Sequence, residues 1–221
     1  MLVECDTGLG RAGVRSPDDA VGLAAAVARV EGLRFDGFLT YPSLPGAVEF
    51  LGAAADGARQ AGLDPRTVSA GGTPSMWSCD GLLPTVTEYR VGTYAFHDRN
   101  TVAAGAATLE EVAMTVRATV VSRPTAGRAI LDAGSKALAM DTNPDGGYGL
   151  IVEAPGSAIV ALNEEHGYVD VAPGDSLELG QQVRVVPNHA CVVSNLFDEF
   201  LVARGDGIVD RWPIAARGKS A

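Results

Sequence analysis

Several groups of residues in this sequence have types and spacings that could do chemistry. His189-Ala190-Cys191 follows the run Val183-Arg184-Val185-Val186. An extended backbone carried through to Cys191 places the imidazole and the thiol, two residues apart, on one face. Both are zinc ligand types, and a site with only two of them leaves coordination positions for water and substrate, as a catalytic zinc requires. The alternative is a buried cysteine beside a hydrogen-bonded histidine. Thr67 to Ala70 reads as a strand that runs into Gly71-Gly72-Thr73, where backbone N–H groups can converge on an anion or simply make a tight turn. Arg90-Val91-Gly92-Thr93-Tyr94 ends the next strand in the same fashion, so two neighbouring strand ends could grip one phosphate. Arg11 lies just past the first strand, where a cation can hold an anionic oxygen or pair with Asp6 or Glu4. Tyr41 ends the second strand and either stacks on a planar ligand or belongs to the core. Glu164-Glu165-His166-Gly167 reads as a hairpin turn with acidic flanks, and His97-Asp98 as a loop.

These residues need elements to hold them, and the chain has two textures. Ser16-Pro17-Asp18-Asp19 supplies an N-cap, a first-turn proline and two acids, so a helix follows with Ala20, Leu23, Ala24, Val27 and Val30 at helical spacing and Gly32 to stop it. Leu33 to Leu39 reads as a strand, Gly46 to Ala61 as a second helix ended by Gly62, Thr67 to Ala70 as a strand, Ser75 to Leu82 as a poor helix and Thr85 to Val91 as a fourth strand. Together with the apolar start Met1 to Cys5, this alternation implies a parallel sheet with right-handed crossovers, in a barrel or a doubly wound fold. From about Glu111 β-branched runs separated by Gly, Pro, Asn and Asp take over. Val112 to Ser122, Arg128 to Asp132, Tyr148 to Glu153, Ala158 to Asn163, Gln182 to Val186, Phe200 to Ala203 and Ile208 to Pro213 predict an antiparallel sheet or small barrel.

Composition narrows the function classes. The 17 Lys and Arg against 27 Asp and Glu give a formal net charge of −10, which argues against nucleic acid as a partner. With 47% hydrophobic residues the chain is long and apolar enough for one or two buried cores. No apolar run reaches the roughly 20 residues of a bilayer span and the start lacks a signal-peptide pattern, so no membrane partner and a cytoplasmic location are expected. Cys5, Cys79 and Cys191 are odd in number and widely spaced, against a disulfide framework. Only two of the cations are lysines, Lys136 and Lys219.

Taken in order, Asp6-Thr7-Gly8-Leu9-Gly10-Arg11-Ala12-Gly13, Gly71-Gly72-Thr73-Pro74, Glu88-Tyr89-Arg90-Val91-Gly92-Thr93-Tyr94, Leu131-Asp132-Ala133-Gly134-Ser135-Lys136, Glu164-Glu165-His166-Gly167 and Pro187-Asn188-His189-Ala190-Cys191 resemble the D-serine dehydratase and D-threonine aldolase group. These are pyridoxal-phosphate enzymes of the alanine racemase type, fold type III. The resemblance implies an α/β plus all-β architecture: a partial alanine racemase-type barrel over 1–108, a D-serine dehydratase-like β domain over 109–215 and a tail over 216–221. It places Arg11 near the cofactor's phenolic oxygen and Tyr41 near its ring. The amides of Gly71, Gly72, Gly92 and Thr93, with the Thr73 side chain, then surround the phosphate. His189 and Cys191 become zinc ligands, and through zinc the catalytic pair. The implied activity is a lyase acting on β-hydroxy D-amino acids. His-x-Cys favours dehydration of D-serine to pyruvate and ammonia; the alternatives are retro-aldol cleavage of the D-threonine aldolase type or a non-catalytic half-enzyme or subunit.

One departure stands out. Relatives carry the Schiff-base lysine in a segment before a motif like Asp6 to Gly13, whereas Lys136 belongs to the β-domain motif and Lys219 to the tail. From this the chain is expected to be the carboxyl-terminal part of an enzyme, inactive on its own for want of the Schiff-base lysine, a homodimer when intact, with a missing amino-terminal barrel half as a possible partner.

Overall fold

Ser16 takes the N-cap role its sequence predicts, its hydroxyl accepting Asp19 N at 3.1 Å, and the helix behind it runs over Pro17–Arg29. The computed structural model describes residues 1–219 except 83 and 206, so residues 220 and 221 of the expected tail lie outside the described residues. The chain forms two compact units, Met1–Gly92 and Thr93–Ala221.

The first unit runs β1 (Leu2–Glu4), α1 (Pro17–Arg29), β2 (Gly37–Leu39), α2 (Ala47–Gln60), β3 (Thr67–Gly71) and β4 (Glu88–Arg90). Its strands lie in the order β1-β2-β3-β4, every neighbouring pair parallel. This is the incomplete racemase-like parallel sheet, with β1 and β4 at its margins. Leu51, Ala54, Ala55 and Ala58 of α2 bury one helical stripe with Phe38 and Val68 of the sheet, the small residues allowing close approach. The strand expected from Leu33 begins only at Gly37, because Arg34 and Asp36 stay in solvent as an ion pair at 3.1 Å. A 3₁₀ stretch, Thr73–Leu82, replaces the poor helix expected over 75–82.

The second unit contains α3 (Arg99–Ala103), β5 (Val116–Thr125), β6 (Arg128–Leu131), α4 (Ser135–Leu138), β7 (Leu150–Ile151), β8 (Ala158–Leu162), β9 (Gly167–Asp170), β10 (Gln182–Val186), α5 (Ala190–Ser194), and the hairpin β11 (Glu199–Arg204) and β12 (Gly207–Pro213). Six strands form an antiparallel sheet in the order β7-β10-β5-β6-β9-β8. Tyr148 N, just before β7, donates to Ile159 O of β8 at 3.0 Å, so the two ends of the order meet and the sheet curls into a small barrel. Val116, Ala118 and Val120 alternate into its core with Leu131, Ile151, Ile159, Val169 and Val185.

Three expectations change here. The strand over Tyr148 to Glu153 shrinks to two residues behind Gly149, which takes φ +142 and leaves no room for a Cβ beside Val185. The turn at 164–167 leads directly into β9, a strand too short for its alternation to stand out. The extended run of β10 does not continue to Cys191, since helix α5 begins at Ala190. No helix of the described residues is long and apolar enough to cross a membrane.

Gly37 fixes how closely β2 and β3 approach: it holds φ +146, and a Cβ there would stand 1.7 Å from Thr67 O. Gly37→Ala should destabilise the first unit by about 3 kcal/mol or more, combining backbone strain with a lost strand pairing. A urea melt followed through Phe35 and Phe38 packing should show it; a midpoint unchanged from the parent would contradict this close packing.

Candidate functional site

Because all four strands of the first unit are parallel, the loops that follow them gather at one end of the sheet, where parallel α/β folds place ligands. Arg11, Tyr41, Gly72 and Gly92 belong to these loops, Gly71 is the last residue of β3 and Thr73 opens the 3₁₀ stretch that follows it. The guanidinium of Arg11 lies over the Tyr41 ring, 5.4 Å from its centroid, and also reaches Glu4 at 3.9 Å. Gly72, at φ +129, brings its backbone against the same ring: a Cβ there would meet Tyr41 Cε2 at 3.4 Å. Arg11 and Tyr41 therefore form one exposed patch, with the buried Gly72 packed beneath the ring.

Two amides from the expected phosphate cradle are already engaged within the fold. Gly71 N donates to Ser43 Oγ at 3.0 Å and Gly72 N to Arg90 O at 3.0 Å. Tyr89 OH in turn donates to Gly72 O at 2.9 Å. Gly92 is exposed with open space around it, and Thr73 is buried. Beneath them Arg90 ties three strands together, donating through Nη2 to Thr40 O at 2.9 Å and through Nη1 to Ser69 Oγ, which also donates to Glu88. A cavity of about 210 Å³ is lined by Cys79, Asp80, Val86, Thr87, Glu88 and Tyr89, and none of the site residues expected from the sequence lines it. Cys5 is buried in the core, and that burial, with Glu4 nearby, pushes its thiol up to about 12, so it is inert.

In the second unit His189 and Cys191 meet, although by a different route from the one the spacing suggested. His189 is extended, with φ −139 and ψ 102, and caps α5, whose first turn carries Cys191. The neighbouring Cys191 thiol, joined by Asp141, raises the imidazole to about 9 against the opposing effect of burial. The neighbouring imidazole in turn draws the Cys191 thiol below its ordinary value. His189 Nδ1 stands 2.8 Å from Asp141 Oδ1, and Thr93 Oγ1 stands 3.4 Å from Cys191 Sγ, placing Thr93 beside the pair. Among the described residues, no group of three or more His, Cys, Asp or Glu side chains gathers as a metal site.

Asp141, Asn188 and Asp98 are contributors that sequence reasoning missed. Asn188 Nδ2 donates to Asp141 O and to Gly147 O, each at 2.8 Å, holding the segment that carries Asp141. Asp98, read from sequence as a loop residue, accepts Ala190 N at 2.9 Å. Nothing in spacing marks such residues, because each acts across 40 or more positions.

Residues 1–100 match the alanine racemase N-terminal domain and residues 113–203 the serine dehydratase domain. The chain belongs to the fold-type III family of pyridoxal-phosphate enzymes. It is similar to D-threonine aldolase of Arthrobacter sp, 33% identical over 238 residues that cover 100% of this chain and 61% of the aldolase. An uncharacterized protein of Mycobacterium tuberculosis is 41% identical over 117 residues, 50% of this chain and 87% of that protein. A cysteine-to-alanine variant of D-threo-3-hydroxyaspartate dehydratase, solved in a metal-free form, superposes with a TM-score of 0.79 at 31% identity, covering 96% of this chain and 64% of the dehydratase. A histidine-to-alanine variant of that enzyme has also been solved, and the two substituted positions lie two residues apart. The chain thus spans less than two thirds of the length of the aldolase and the dehydratase.

These matches correct one expectation. The chain is not the carboxyl-terminal part alone, and an amino-terminal barrel half is not a missing partner: the N-terminal family domain is itself represented in residues 1–100. The βα units from β1 to β4 lie within that match.

Asp6 holds the loop that carries Arg11, accepting Gly8 N and Gly10 N at 3.0 Å each, and these bonds keep its carboxyl below the usual range. A depressed carboxylate stabilises the loop above the ordinary carboxylate pKa of about 4 and loses that effect as pH falls through the lower folded value. Amide exchange at Gly8 and Gly10, corrected for intrinsic rates, should stay slow at neutral pH, quicken in acid below about pH 4, and be fast at every pH in Asp6→Ala. Protection that persists unchanged in Asp6→Ala would rule out the carboxylate as the loop's anchor.

Proposed function

We propose that this chain is a lyase that uses pyridoxal phosphate and zinc to act on β-hydroxy D-amino acids, with retro-aldol cleavage of the D-threonine type as its reaction. One observation carries the metal part: Asp141 engages Nδ1 of His189 at 2.8 Å, which leaves Nε2 for a metal ion, and Cys191 lies in the helical turn that His189 caps. A carboxylate behind a ligating histidine fixes tautomer and ring orientation, the usual supporting contact in such centres. Imidazole and thiolate are soft donors that favour zinc over magnesium, and two of them leave positions open for substrate.

The first unit suits the other group in part. Tyr41 and Arg11 offer an aromatic face and a cation at the strand ends, and Thr73 and Gly92 lie in neighbouring loops; Gly71 and Gly72 shape the cradle with their backbone rather than donate from it. Thr93 stays with the cofactor group on the motif alone. No lysine lies in residues 1–92, and Lys136 is held on the exposed surface of the second unit by Glu165 at 2.7 Å and Glu164 at 3.2 Å. The residues fit non-covalent binding and supply no covalent anchor. When bound, pyridoxal phosphate supplies a sink for the electron pair released at Cα, and zinc supplies a Lewis acid for the β-hydroxyl.

Retro-aldol cleavage is favoured over elimination by the similarity to D-threonine aldolase, which runs the full length of this chain. Elimination is the second reading, favoured by the His-x-Cys spacing shared with the substituted positions of D-threo-3-hydroxyaspartate dehydratase. The purified protein should bind pyridoxal phosphate reversibly, with no borohydride labelling of Lys136 or Lys219. With zinc and methylamine to replace the absent amino function, it should release glycine and acetaldehyde from D-threonine. 2-Oxobutanoate and ammonia in place of glycine would establish the dehydratase reading; no cofactor binding and no product would sink both.

His189→Ala and Cys191→Ala should each remove zinc while leaving the far-ultraviolet circular dichroism of the β barrel intact. Zinc content unchanged in both variants would show that the pair is not the metal site.

A further inference from the structure

Asp98 is 1% exposed, a depth at which a carboxylate needs either a cation or a full set of hydrogen bonds. It has hydrogen bonds, across a wide gap in sequence. Oδ1 accepts Thr101 N at 2.8 Å in the first turn of α3, and Oδ2 accepts Ala190 N at 2.9 Å at the start of α5. The carboxylate is itself fixed, since Asp98 N donates to Thr101 Oγ1 at 2.9 Å and Thr101 Oγ1 donates to Asp98 O at 2.8 Å. The same segment clamps the residues before His189: Arg99 N donates to Pro187 O at 3.0 Å and Asn100 N to Asn188 O at 3.2 Å.

Ala190 stands between His189 and Cys191 and has no side-chain chemistry of its own. Its N–H is the handle. The backbone changes from extended to helical between His189 and Ala190, and where it changes sets the direction of the Cys191 side chain relative to the imidazole. Two N–H donors converging on one side chain need two acceptor oxygens. A carboxylate has both, whereas an amide would turn its NH₂ toward one of the donors.

We propose that Asp98 is a positioning residue for the His189–Cys191 pair: by holding the Ala190 amide it presets the separation and orientation of the two ligand atoms, so that a soft divalent metal ion binds without first ordering the turn. The inference rests on the reading of that pair as a metal site.

The test uses the full chain and three readouts: zinc affinity by competition with a chromogenic chelator, the thiolate charge-transfer band after cobalt substitution, and hydrogen exchange at the Ala190 amide. Asp98→Asn should lose protection at Ala190, shift the cobalt band and bind zinc about 10- to 100-fold more weakly, the range typical of lost supporting contacts. Thr101→Ala, which removes the hydroxyl half of the α3 cap and keeps both carboxylate bonds, should lower stability and leave zinc affinity within about twofold, well short of that range. Should Asp98→Asn fail to fold, Ala190→Pro removes the N–H at a first-turn helix position whose backbone accepts proline, and it should reproduce the loss of affinity. Unchanged zinc affinity with Ala190 protection lost, or an equal loss in Thr101→Ala, would overturn the proposal. A parent protein that binds no zinc, with His189→Ala and Cys191→Ala indistinguishable from it, would instead bring down the metal reading beneath it.

Discussion

Three stretches of the second unit, 98–101, 141–147 and 187–191, have to be brought together with no buried polar group left without a partner, and the geometry of the His189–Cys191 pair follows from how they manage it. Each turn supplies what another lacks. Asp98 offers two oxygens to Thr101 N and Ala190 N; Asn188 offers two N–H groups to Asp141 O and Gly147 O and accepts Arg99 Nη1 at 3.3 Å. An unmet donor or acceptor at such depth costs on the order of 1–3 kcal/mol, so these contacts support one another and the turn has one arrangement. Asp141 is presented to His189 because Asn188 holds its backbone.

The first unit meets a different constraint. Its strands are only three to five residues long, so side-chain packing alone gives each little to hold it in register. Backbone contact through glycine compensates: Gly37 lies against Thr67 and Gly71 against Arg90, where a Cβ would stand 2.6 Å from the carbonyl oxygen. Arg90 then links the ends of β2, β3 and β4 from below. With the sheet pinned in this way, the loops above it can carry an exposed cation and an aromatic ring, Arg11 and Tyr41.

On the proposed function, the chemistry is divided between the units. One has an aromatic and cationic patch suited to a planar anion, the other a soft-donor pair with a supporting carboxylate, and neither offers a lysine at its site. Lys136 is raised above its ordinary value chiefly by its bond to Glu165, the opposite of what a nucleophilic amine needs. Its place in the structure is that of a surface cation.

Much of this was legible in the sequence because it is local. The Ser16 cap, the proline at the first turn of α1, the apolar stripe of α2 and the alternation along β5 and β10 depend on neighbours within a few residues, and a chain of this composition has no other way to bury them. The ordered motifs carried the family for the same reason. The sequence could not indicate that Gly71 and Gly72 would use their amides on Ser43 and Arg90, since that depends on which strand ends become neighbours. Nor could it show that His189 and Cys191 meet through a helical turn. That turn is held by a hydrogen bond from the Ala190 N–H to a buried carboxylate 92 residues away, and a bond at that separation exists only once the fold has closed.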